Sequence, residues 1–389
     1  MFKMKVHSGA FVETMRKVSI GIPVSSQKGE SDGVKIVFYK SIKGMPDMSK
    51  GIFLAFDGKV QAVSSMDISN VTADVEEAEV HISGKKALAA ANAYAALDMA
   101  LEIAIDKDVK ISAAGNKVTL PLGQKIVALK PDGRLLQEIE MHTEDFINFV
   151  NFASSCYGEE KGSRGLHCVG IRIDPEKKVM IGASSNGTRC AYAESQNVTF
   201  RPVKNKEEGA ADNKVITVVI EGKTLRNAVK NLEKKKVTIG IDAKMLRIKC
   251  GSDVVMIMTQ EIPFPMDAIL QVMDRTKRVG AWKARLTNVL QALAIYEITM
   301  ETPWLEIKKQ GETQVILQGK DEQSNAAVIC AQDGDIQTVA VNEKEFKNSL
   351  SVFSKEKDII IETMSDKMPI VMRQHEDDKN KIFLMPVSE

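Results

Sequence analysis

The sequence has no uninterrupted apolar run that approaches the roughly eighteen residues needed for a membrane-spanning helix. Its first residues, MFKMKVHSGAF, lack the apolar core of a secretory signal peptide. Its five cysteines are scattered and show no CxxC spacing, which argues against a disulfide framework or a zinc site. These absences lead us to expect a cytoplasmic protein with reduced thiols and no contact with a membrane.

The motifs of common enzyme sites are also missing. Neither GxxxxGK(S/T) nor GxGxxG occurs, which argues against nucleotide-binding loops of those types. None of the five histidines has metal-ligand spacing to another histidine or cysteine. His167 beside Cys168 comes closest to a nucleophile and base, but neighbours in a strand point to opposite faces. We therefore expect no catalytic residue, no metal and no cofactor; an enzyme that uses Cys168 or Cys190 stays open as an alternative.

The 389 residues are too many for one ordinary core, and a repeated pattern divides them. Three stretches, residues 80–122, 218–258 and 339–386, each contain a β-rich lead-in, a lysine-bearing helix, and then a strand, a turn and a strand. In the second stretch, Val237 and Ile239 fall on one face of a predicted strand. The recurrence predicts three similar domains.

A further helix and a hairpin precede each of these stretches. HSGAFVETMRKVSI, TEDFINFVNFASSCY and AWKARLTNVLQALAI carry apolar residues at helical spacing. GIFLAFDGKVQAVSS, GIRIDPEKKVMIGAS and WLEIKKQGETQVILQG each place turn residues between two apolar runs, which predicts β-hairpins. The apolar KIFLMP near the end of the chain then reads as the last strand of the third domain.

The sequence thus predicts an α+β protein of three similar domains, each with two helices packed on antiparallel sheets. We place the domains at residues 1–135, 136–263 and 264–389. Linkers are expected near residues 130–140 and 263–279.

Positive charge recurs on the predicted helices, although the net charge is only +1. Lys223, Arg226 and Lys230 form one stripe at i, i+3 and i+7, and Lys344 and Lys347 occupy the equivalent helix of the third stretch. Any single helix of this kind is equally well explained as a solvated face. Repetition on several helices predicts a shared positive surface that contacts phosphates rather than bases.

Four short segments resemble, in order and spacing, motifs of the bacterial DNA polymerase III beta subunit, the sliding clamp. RGLHCVGIRID (164–174) is similar to the family's Arg-Tyr-x-Leu-x-Gly stretch, and SSNGTRCA (184–191) to Ala-Thr-Asp-Gly-His-Arg-Leu-Ala. FPMDAIL (264–270) resembles the Phe-Pro-Asp-Tyr segment between the last two domains, and MPV (385–387) resembles the family's Met-Pro terminus. The resemblance spans the whole chain.

In that family a head-to-tail homodimer closes a non-catalytic ring around duplex DNA and acts as a processivity factor. DNA polymerase, the clamp loader and other partners insert an extended peptide between the second and third domains. The DNA-contacting residues that the resemblance and the basic helices imply are Lys223, Arg226, Lys230, Arg16, Lys86 and Lys347. The implied groove residues are Cys168, Ser185, Gly187, Arg189, Cys190, Pro265, Leu270, Pro369, Phe383, Met385, Pro386 and Val387. The implied dimer contact places Val118 and Leu120 against Ile295 and Tyr296.

The sequence departs from the family's pattern at several of these positions. Asn186 stands for the family's Asp, Thr188 for its His and Cys190 for its Leu, and Ser388 and Glu389 replace a terminal Arg-Leu. These changes indicate a divergent clamp, with an accessory copy as one form of it, whose groove either prefers another peptide or binds its partners more weakly.

A second reading is a clamp-fold interaction scaffold that is not loaded on DNA. It rests on Glu144 and Asp145, which make the first helix of the central domain acidic.

Overall fold

The structure is a computed structural model that describes residues 1–23, 33–41, 48–123, 125–129, 135–159, 165–203, 214–242, 244–275, 277–299, 303–319, 325–364 and 368–387. The helices in these ranges are α1 Ser8–Val18, α2 Gly84–Tyr94, α3 Thr143–Ala153, α4 Gly222–Val229, α5 Met266–Arg275, α6 Leu286–Thr299 and α7 Glu343–Leu350, with a short 3-10 helix at Ser19–Gly21. The strands are β1 Phe2–His7, β2 Gly33–Tyr39, β3 Ser49–Phe56, β4 Val60–Ala73, β5 Glu77–Ser83, β6 Ala100–Ile105, β7 Val109–Ala113, β8 Asn116–Leu120, β9 Gln137–His142, β10 Cys168–Asp174, β11 Val179–Ser185, β12 Arg189–Ser195, β13 Thr199–Arg201, β14 Ile216–Glu221, β15 Lys236–Ile241, β16 Met245–Cys250, β17 Asp253–Met258, β18 Gly280–Arg285, β19 Trp304–Gln310, β20 Gln314–Gln318, β21 Asn325–Ile329, β22 Ala331–Gly334, β23 Val339–Asn342, β24 Asp358–Thr363, β25 Ile370–Gln374 and β26 Asn380–Leu384.

The order of elements repeats as the sequence predicts. A strand, a helix and an antiparallel hairpin follow one another as β5–α2–β6–β7, as β14–α4–β15–β16 and as β23–α7–β24–β25. The three hairpins predicted from turn residues are present as β3–β4, β10–β11 and β19–β20. The predicted α+β class is confirmed. The three domain boundaries remain a prediction, because the contacts within the chain group it differently.

Those contacts divide the chain into two compact units. Unit 1 comprises Met1–Glu144, Thr199–Ala210 and Asn227–Thr259, and unit 2 comprises Asp145–Val198, Ala211–Arg226 and Gln260–Glu389.

Unit 1 is built on a thirteen-stranded antiparallel sheet. Its main path runs β13-β9-β15-β16-β17-β4-β1-β6-β7-β8, and β3, β2 and β5 branch from β4. α1 and α2 pack on one face of the sheet, where the predicted helical stripe of Phe11, Met15 and Val18 is buried. On β15 and β16, Ile239 lies directly opposite Ile248, so the alternation in the sequence does define the buried face of these strands.

Unit 2 contains two antiparallel sheets. The nine-stranded sheet has the order β14-β10-β11-β12-β26-β25-β24-β18-β22, and the four-stranded sheet has the order β21-β20-β19-β23. The tail is the last strand, as predicted, but β26 ends at Leu384, so Met385 and Pro386 lie beyond it. β26 pairs with β12, which joins the end of the chain to the SSNGTRCA segment.

The segment read as a linker near residues 263–279 contains a helix. α5 begins at Met266, and Met266, Ile269, Leu270 and Met273 recur at i, i+3, i+4 and i+7. These side chains pack on an apolar cluster formed by strands of the nine-stranded sheet. The helical spacing was present in the sequence, but two prolines and the polar residues that follow obscured it.

Candidate functional site

The turn between β11 and β12 is held by its own side chains. Oδ1 of Asn186 accepts hydrogen bonds from the backbone N–H groups of Thr188 (3.0 Å) and Arg189 (2.9 Å). Oγ of Ser185 accepts from the N–H of Gly187 (3.1 Å) and donates to the carbonyl oxygen of Arg189 (3.0 Å). Gly187 has φ +94°, a conformation that residues with a Cβ rarely adopt. The SSNGTR segment is therefore a rigid turn.

The tail is fixed to this turn by backbone hydrogen bonds. The N–H of Met385 donates to the carbonyl oxygen of Thr188 (2.8 Å), and the N–H of Val387 donates to that of Ala340 (2.9 Å). In the adjoining strands, Cys190 pairs with Phe383. The apolar end of the chain is thus ordered because it completes a sheet and continues along the turn.

α5 is held against the same sheet at its first turn. The guanidinium of Arg172 on β10 donates to Oδ1 of Asp267 (2.6 Å). Just before the helix, the ring of Phe264 lies over Gly170, where an added Cβ would lie 2.5 Å from a ring carbon. A residue larger than glycine at position 170 would therefore displace the segment that leads into α5.

The turn, the tail and α5 enclose a small cleft of about 180 Å³. Its walls are mainly apolar, and its lining residues are Ser185, Gly187, Thr188, Arg189, Cys190, Ala268, Ile269, Val272, Pro369, Phe383 and Met385. Residues from four separate stretches of the sequence meet here. A cleft of this kind accommodates an apolar side chain.

Seven of the predicted groove residues line this cleft. They are Ser185, Gly187, Arg189, Cys190, Pro369, Phe383 and Met385. The other five do not: Cys168 is fully buried in β10, Pro265 precedes α5, Leu270 faces the apolar cluster, and Pro386 and Val387 follow Met385 in the tail. Ser388 and Glu389 lie outside the described residues.

Four lining residues were not predicted. Thr188 was identified only as a departure from the family's pattern, and Ala268, Ile269 and Val272 belong to α5. The helical spacing of FPMDAILQVMD was the signal that could have found the last three, because a helix beside the groove presents a whole face to it.

An ion pair lies beneath the turn. Nε of Arg189 is 2.7 Å from Oε2 of Glu345 on α7, and Nδ2 of Asn186 donates to the same oxygen (3.2 Å). Arg189 also borders a second, larger and more polar cleft of about 770 Å³, which Arg226 and several asparagines line. The Arg189 side chain therefore contributes to both clefts.

The thiols near the cleft are not arranged for nucleophilic chemistry. Burial raises the pKa of Cys190 far above the usual range of a thiol, and it raises the pKa of Cys156 to about 11. A reactive cysteine needs the opposite shift. Among the described residues, no group of three or more histidine, cysteine, aspartate or glutamate side chains could hold a metal ion.

Most of the predicted DNA-contacting residues are exposed on helices. Lys223 and Arg226 lie on α4, Lys230 directly follows it, and Arg16 and Lys86 lie on α1 and α2. In contrast, the ammonium group of Lys347 on α7 is paired with Glu297.

The predicted dimer residues differ in exposure. Leu120 and Tyr296 are buried within their own units, at 2% and 1% exposure, and Val118 packs partly on the core of unit 1. Ile295 is 51% exposed, and so are the neighbouring apolar residues Ile298 (81%, on α6) and Ile329 (70%, on β21). Val118 and Leu120 belong to β8, which forms one edge of its sheet, and β21 forms an edge of the four-stranded sheet.

Comparison with known proteins gives a clear result for the fold. The chain is similar in structure to the DNA polymerase III beta subunit from Thermotoga maritima, with a TM-score of 0.80 and 14% identity over 100% of both chains. The sliding clamp from Bacillus subtilis matches with a TM-score of 0.80 and 14% identity over 100% of this chain and 99% of that one. The chain has the sliding-clamp fold.

A third similar structure carries a ligand. The Helicobacter pylori beta clamp bound to a DNA ligase peptide matches with a TM-score of 0.77 and 13% identity, over 99% of this chain and 100% of that one. No protein-family model and no curated protein matches the sequence. The resemblance to sliding clamps read from the sequence is thus confirmed at the level of the fold. Among the described residues, no helix is both long enough and apolar enough to cross a membrane.

Proposed function

We propose that this protein is a DNA sliding clamp: a non-catalytic processivity factor that closes around duplex DNA as a head-to-tail homodimer. The observation that carries the proposal is the convergence of predicted groove residues from the SSNGTRCA turn, Pro369 and the tail on one apolar cleft, in a chain with the clamp fold throughout. DNA polymerase, the clamp loader and other partners would bind through this cleft. The protein would act in the cytoplasm.

The cleft suits an extended peptide better than a compact ligand. At about 180 Å³ it holds one or two side chains, not a cofactor. Phe383, Met385 and Val272 offer an apolar and adaptable surface, and methionine in particular adjusts to different partners. The Helicobacter pylori clamp, which is similar in structure, binds a DNA ligase peptide, and this supports a peptide as the ligand. The partner's apolar side chain would enter the cleft while its backbone stays at the rim.

The helices would supply weak contacts to DNA. The exposed cations are Lys223 and Arg226 on α4 and Lys230 directly after its end. With no aromatic side chains or base-reading motif among them, they suit phosphates rather than base edges. A ring holds DNA by topology, and a few mobile cations on several helices then permit sliding. Replacing any one of these cations should make the affinity for DNA depend less steeply on salt concentration.

The ring would close through strand edges. β8 ends the sheet of unit 1, and β21 ends the four-stranded sheet of unit 2 beside the exposed Ile295, Ile298 and Ile329. Exposed edges and apolar patches of this kind mark protein interfaces. Contact between unit 1 of one copy and unit 2 of the next would use both edges and form a closed dimer.

Retention on circular DNA tests the proposal. We expect wild-type protein, loaded with its clamp loader, to stay on a nicked circle at high salt and to leave after the circle is linearised, because only topology resists salt. The Lys223→Glu/Arg226→Glu variant should be loaded at least tenfold less well. The matched control, Lys177→Glu/Lys309→Glu, changes exposed lysines on a hairpin turn and a strand and should load normally. Equal loss from circular and linear DNA would overturn the ring.

The second candidate is a protein scaffold of clamp fold that is not loaded on DNA. It is favoured by the acidic start of α3, where Glu144 is exposed and Asp145 accepts a hydrogen bond from Asn197 (3.4 Å). Such a protein would bind partner peptides in the cleft and would never be retained on circular DNA. The same experiment, combined with peptide binding, therefore separates the two functions.

A further inference from the structure

A lysine-rich surface lies on the side of the unit 1 sheet that α1 and α2 do not cover. Along β1 the exposure alternates, so that Phe2, Met4 and Val6 enter the core and Lys3 and Lys5 point the other way. The same alternation on β7 and β8 places Lys110 and Lys117 on this side. We call the surface formed by Lys3, Lys5, Lys110 and Lys117 the lysine face.

The strand register arranges these residues in two rows across the sheet. In the first row, Lys3 pairs with Ala104, and Ala104 pairs with Lys110. In the second row, Lys5 pairs with Glu102, Glu102 with Ser112, and Ser112 with Lys117. Ala104 and Ser112 are small, so they form the floor of a shallow concavity of about 590 Å³ between the lysines.

The charge of this concavity is strongly one-sided. Glu102 is the one carboxylate among its lining residues, and it is paired with Lys5 at 3.4 Å. Lys3, Lys110 and Lys117 show no ion pair within the described part of the chain. Three lysines on one sheet face, none of them in an ion pair with a described residue, leave a positive potential that an acidic partner would neutralise.

We propose that the lysine face binds an acidic protein segment in an extended conformation. Strands in a sheet are about 4.8 Å apart, so Lys3 and Lys110 are separated by roughly 10 Å and Lys5 and Lys117 by roughly 14 Å. In an extended chain, side chains on one side recur about every 7 Å. In an extended segment of about six residues, carboxylates at alternate positions would therefore lie close enough to form ion pairs with the lysines of both rows.

Carboxylates fit the lining better than nucleic acid does. The described lining residues include no aromatic side chain for base stacking and no arginine for bidentate phosphate contacts. Asn70, Thr72 and Ser112 supply amide and hydroxyl donors that suit a carboxylate as well as lysine does. The lysine face belongs to unit 1 and the cleft to unit 2, and the proposal does not depend on a ring or on DNA.

Fluorescence anisotropy with the full-length protein tests this proposal. The probe is a labelled peptide of alternating glutamate and serine, and an oligo-dT of similar length is the competing class. We expect wild-type protein to bind the peptide at low salt, more tightly than the oligo-dT. Lys3→Glu/Lys110→Glu should weaken peptide binding at least tenfold. Ala104→Glu, which adds a carboxylate to the floor, should do the same without removing a lysine.

The matched control is Lys59→Glu/Lys244→Glu, which makes the same charge change on two exposed hairpin turns of unit 1. It should bind the peptide as wild type does, and unchanged thermal unfolding of all variants confirms that they are folded. Equal weakening by the control and the lysine-face variant would overturn the proposal, because net charge alone would then govern binding. Tighter binding of oligo-dT to the same lysines, or no peptide binding at low salt, would overturn it as well.

Discussion

Arg189 and Glu345 form an ion pair, with Nε of the guanidinium 2.7 Å from Oε2 of the carboxylate. The side chains are only 13% and 24% exposed, so water screens the pair weakly. The contact ties the turn beside the cleft to α7, across more than 150 residues of sequence. The stability of this ion pair and the shape of the cleft are therefore linked.

Glu345→Gln should destabilise the protein. The neutral amide leaves Arg189 as a half-buried cation without its counter-charge, which should lower the free energy of unfolding by about 2 kcal/mol. Urea denaturation of wild type and variant measures this. Glu312→Gln, the same change on an exposed turn, is the control and should alter stability by less than about 0.5 kcal/mol. Equal effects of the two substitutions would show that the pair contributes nothing.

Asn186→Asp should reveal why an amide occupies this position. Oδ1 would still cap the turn, but the donor to Glu345 would become a second carboxylate about 3 Å from the first. We expect a loss of about 1–2 kcal/mol at neutral pH, which recovers as the carboxyl groups become protonated in acid. Asn197→Asp also replaces an amide beside a carboxylate, that of Asp145, but in an exposed setting. Its effect should be much smaller, and a loss independent of pH at position 186 would contradict the explanation.

The residues above show what could be predicted from sequence. Period-2 and period-3.6 patterns located the strands and the helices α1, α3 and α6, because burial on one face imposes those periods on the chain. The ion pair of Arg189 with Glu345 could not be predicted in this way. Contacts between distant segments depend on the register of the β12–β26 pairing, which leaves no local pattern.

Only part of the cleft lining was predicted, because contacts between distant segments leave no local pattern in the sequence. Its residues on the turn and the tail came from a resemblance of motifs, whereas Ile269 and Val272 came into view only when α5 was seen to begin at Met266. The predicted Leu270 lies on the opposite side of that helix from the cleft lining and packs on the apolar cluster. Neighbouring side chains on a helix point about 100° apart. A matching motif can therefore locate the helix without showing which of its residues line the cleft.

Glu343 should make stability depend on pH. Burial and the nearby carboxylate of Glu297 raise its pKa to about 7, while Lys344 and Lys347 act in the opposite direction. Lys347, paired with Glu297, lowers the pKa of Glu297. Because the pKa of Glu343 in the folded state exceeds its ordinary value of 4.5, its stabilising contribution is complete below pH 4.5 and is lost as the pH rises to about 7.

Glu343→Gln tests this linkage, because glutamine stays neutral at every pH. As the pH rises from mildly acidic to mildly alkaline, wild type loses the contribution of Glu343 and the variant does not. The unfolding free energy of the variant should therefore rise relative to that of wild type by on the order of 1–2 kcal/mol over this range. Urea denaturation at several pH values in that range measures the difference in unfolding free energy between variant and wild type. The other titratable groups are the same in both proteins, so their contributions cancel. Glu312→Gln should run parallel to wild type. A parallel profile for Glu343→Gln itself would mean that the carboxyl titrates normally.

Val272→Glu should block the cleft without unfolding the protein. The side chain is 39% exposed, so the helix tolerates the change, but a carboxylate then occupies the apolar wall. We expect the affinity for an extended peptide with two adjacent large apolar side chains to fall at least tenfold in fluorescence anisotropy. Val279 is also 39% exposed and lies outside the cleft, so Val279→Glu is a closely matched control. Undiminished binding by Val272→Glu would place the peptide elsewhere.

Ile329→Lys should weaken the proposed homodimer. Ile329 is 70% exposed on the edge strand β21, and lysine on an edge strand opposes pairing with another chain while it leaves the folded strand intact. Light scattering over a dilution series should show a dimer of wild-type chains, each of 42.8 kDa, and a dissociation constant at least tenfold higher for the variant. Val75→Lys changes another exposed apolar residue (52%), on a turn of unit 1, and should leave the dimer unaffected. If both variants dimerise as wild type does, the interface does not include β21, and the exposed isoleucines beside it must serve another contact.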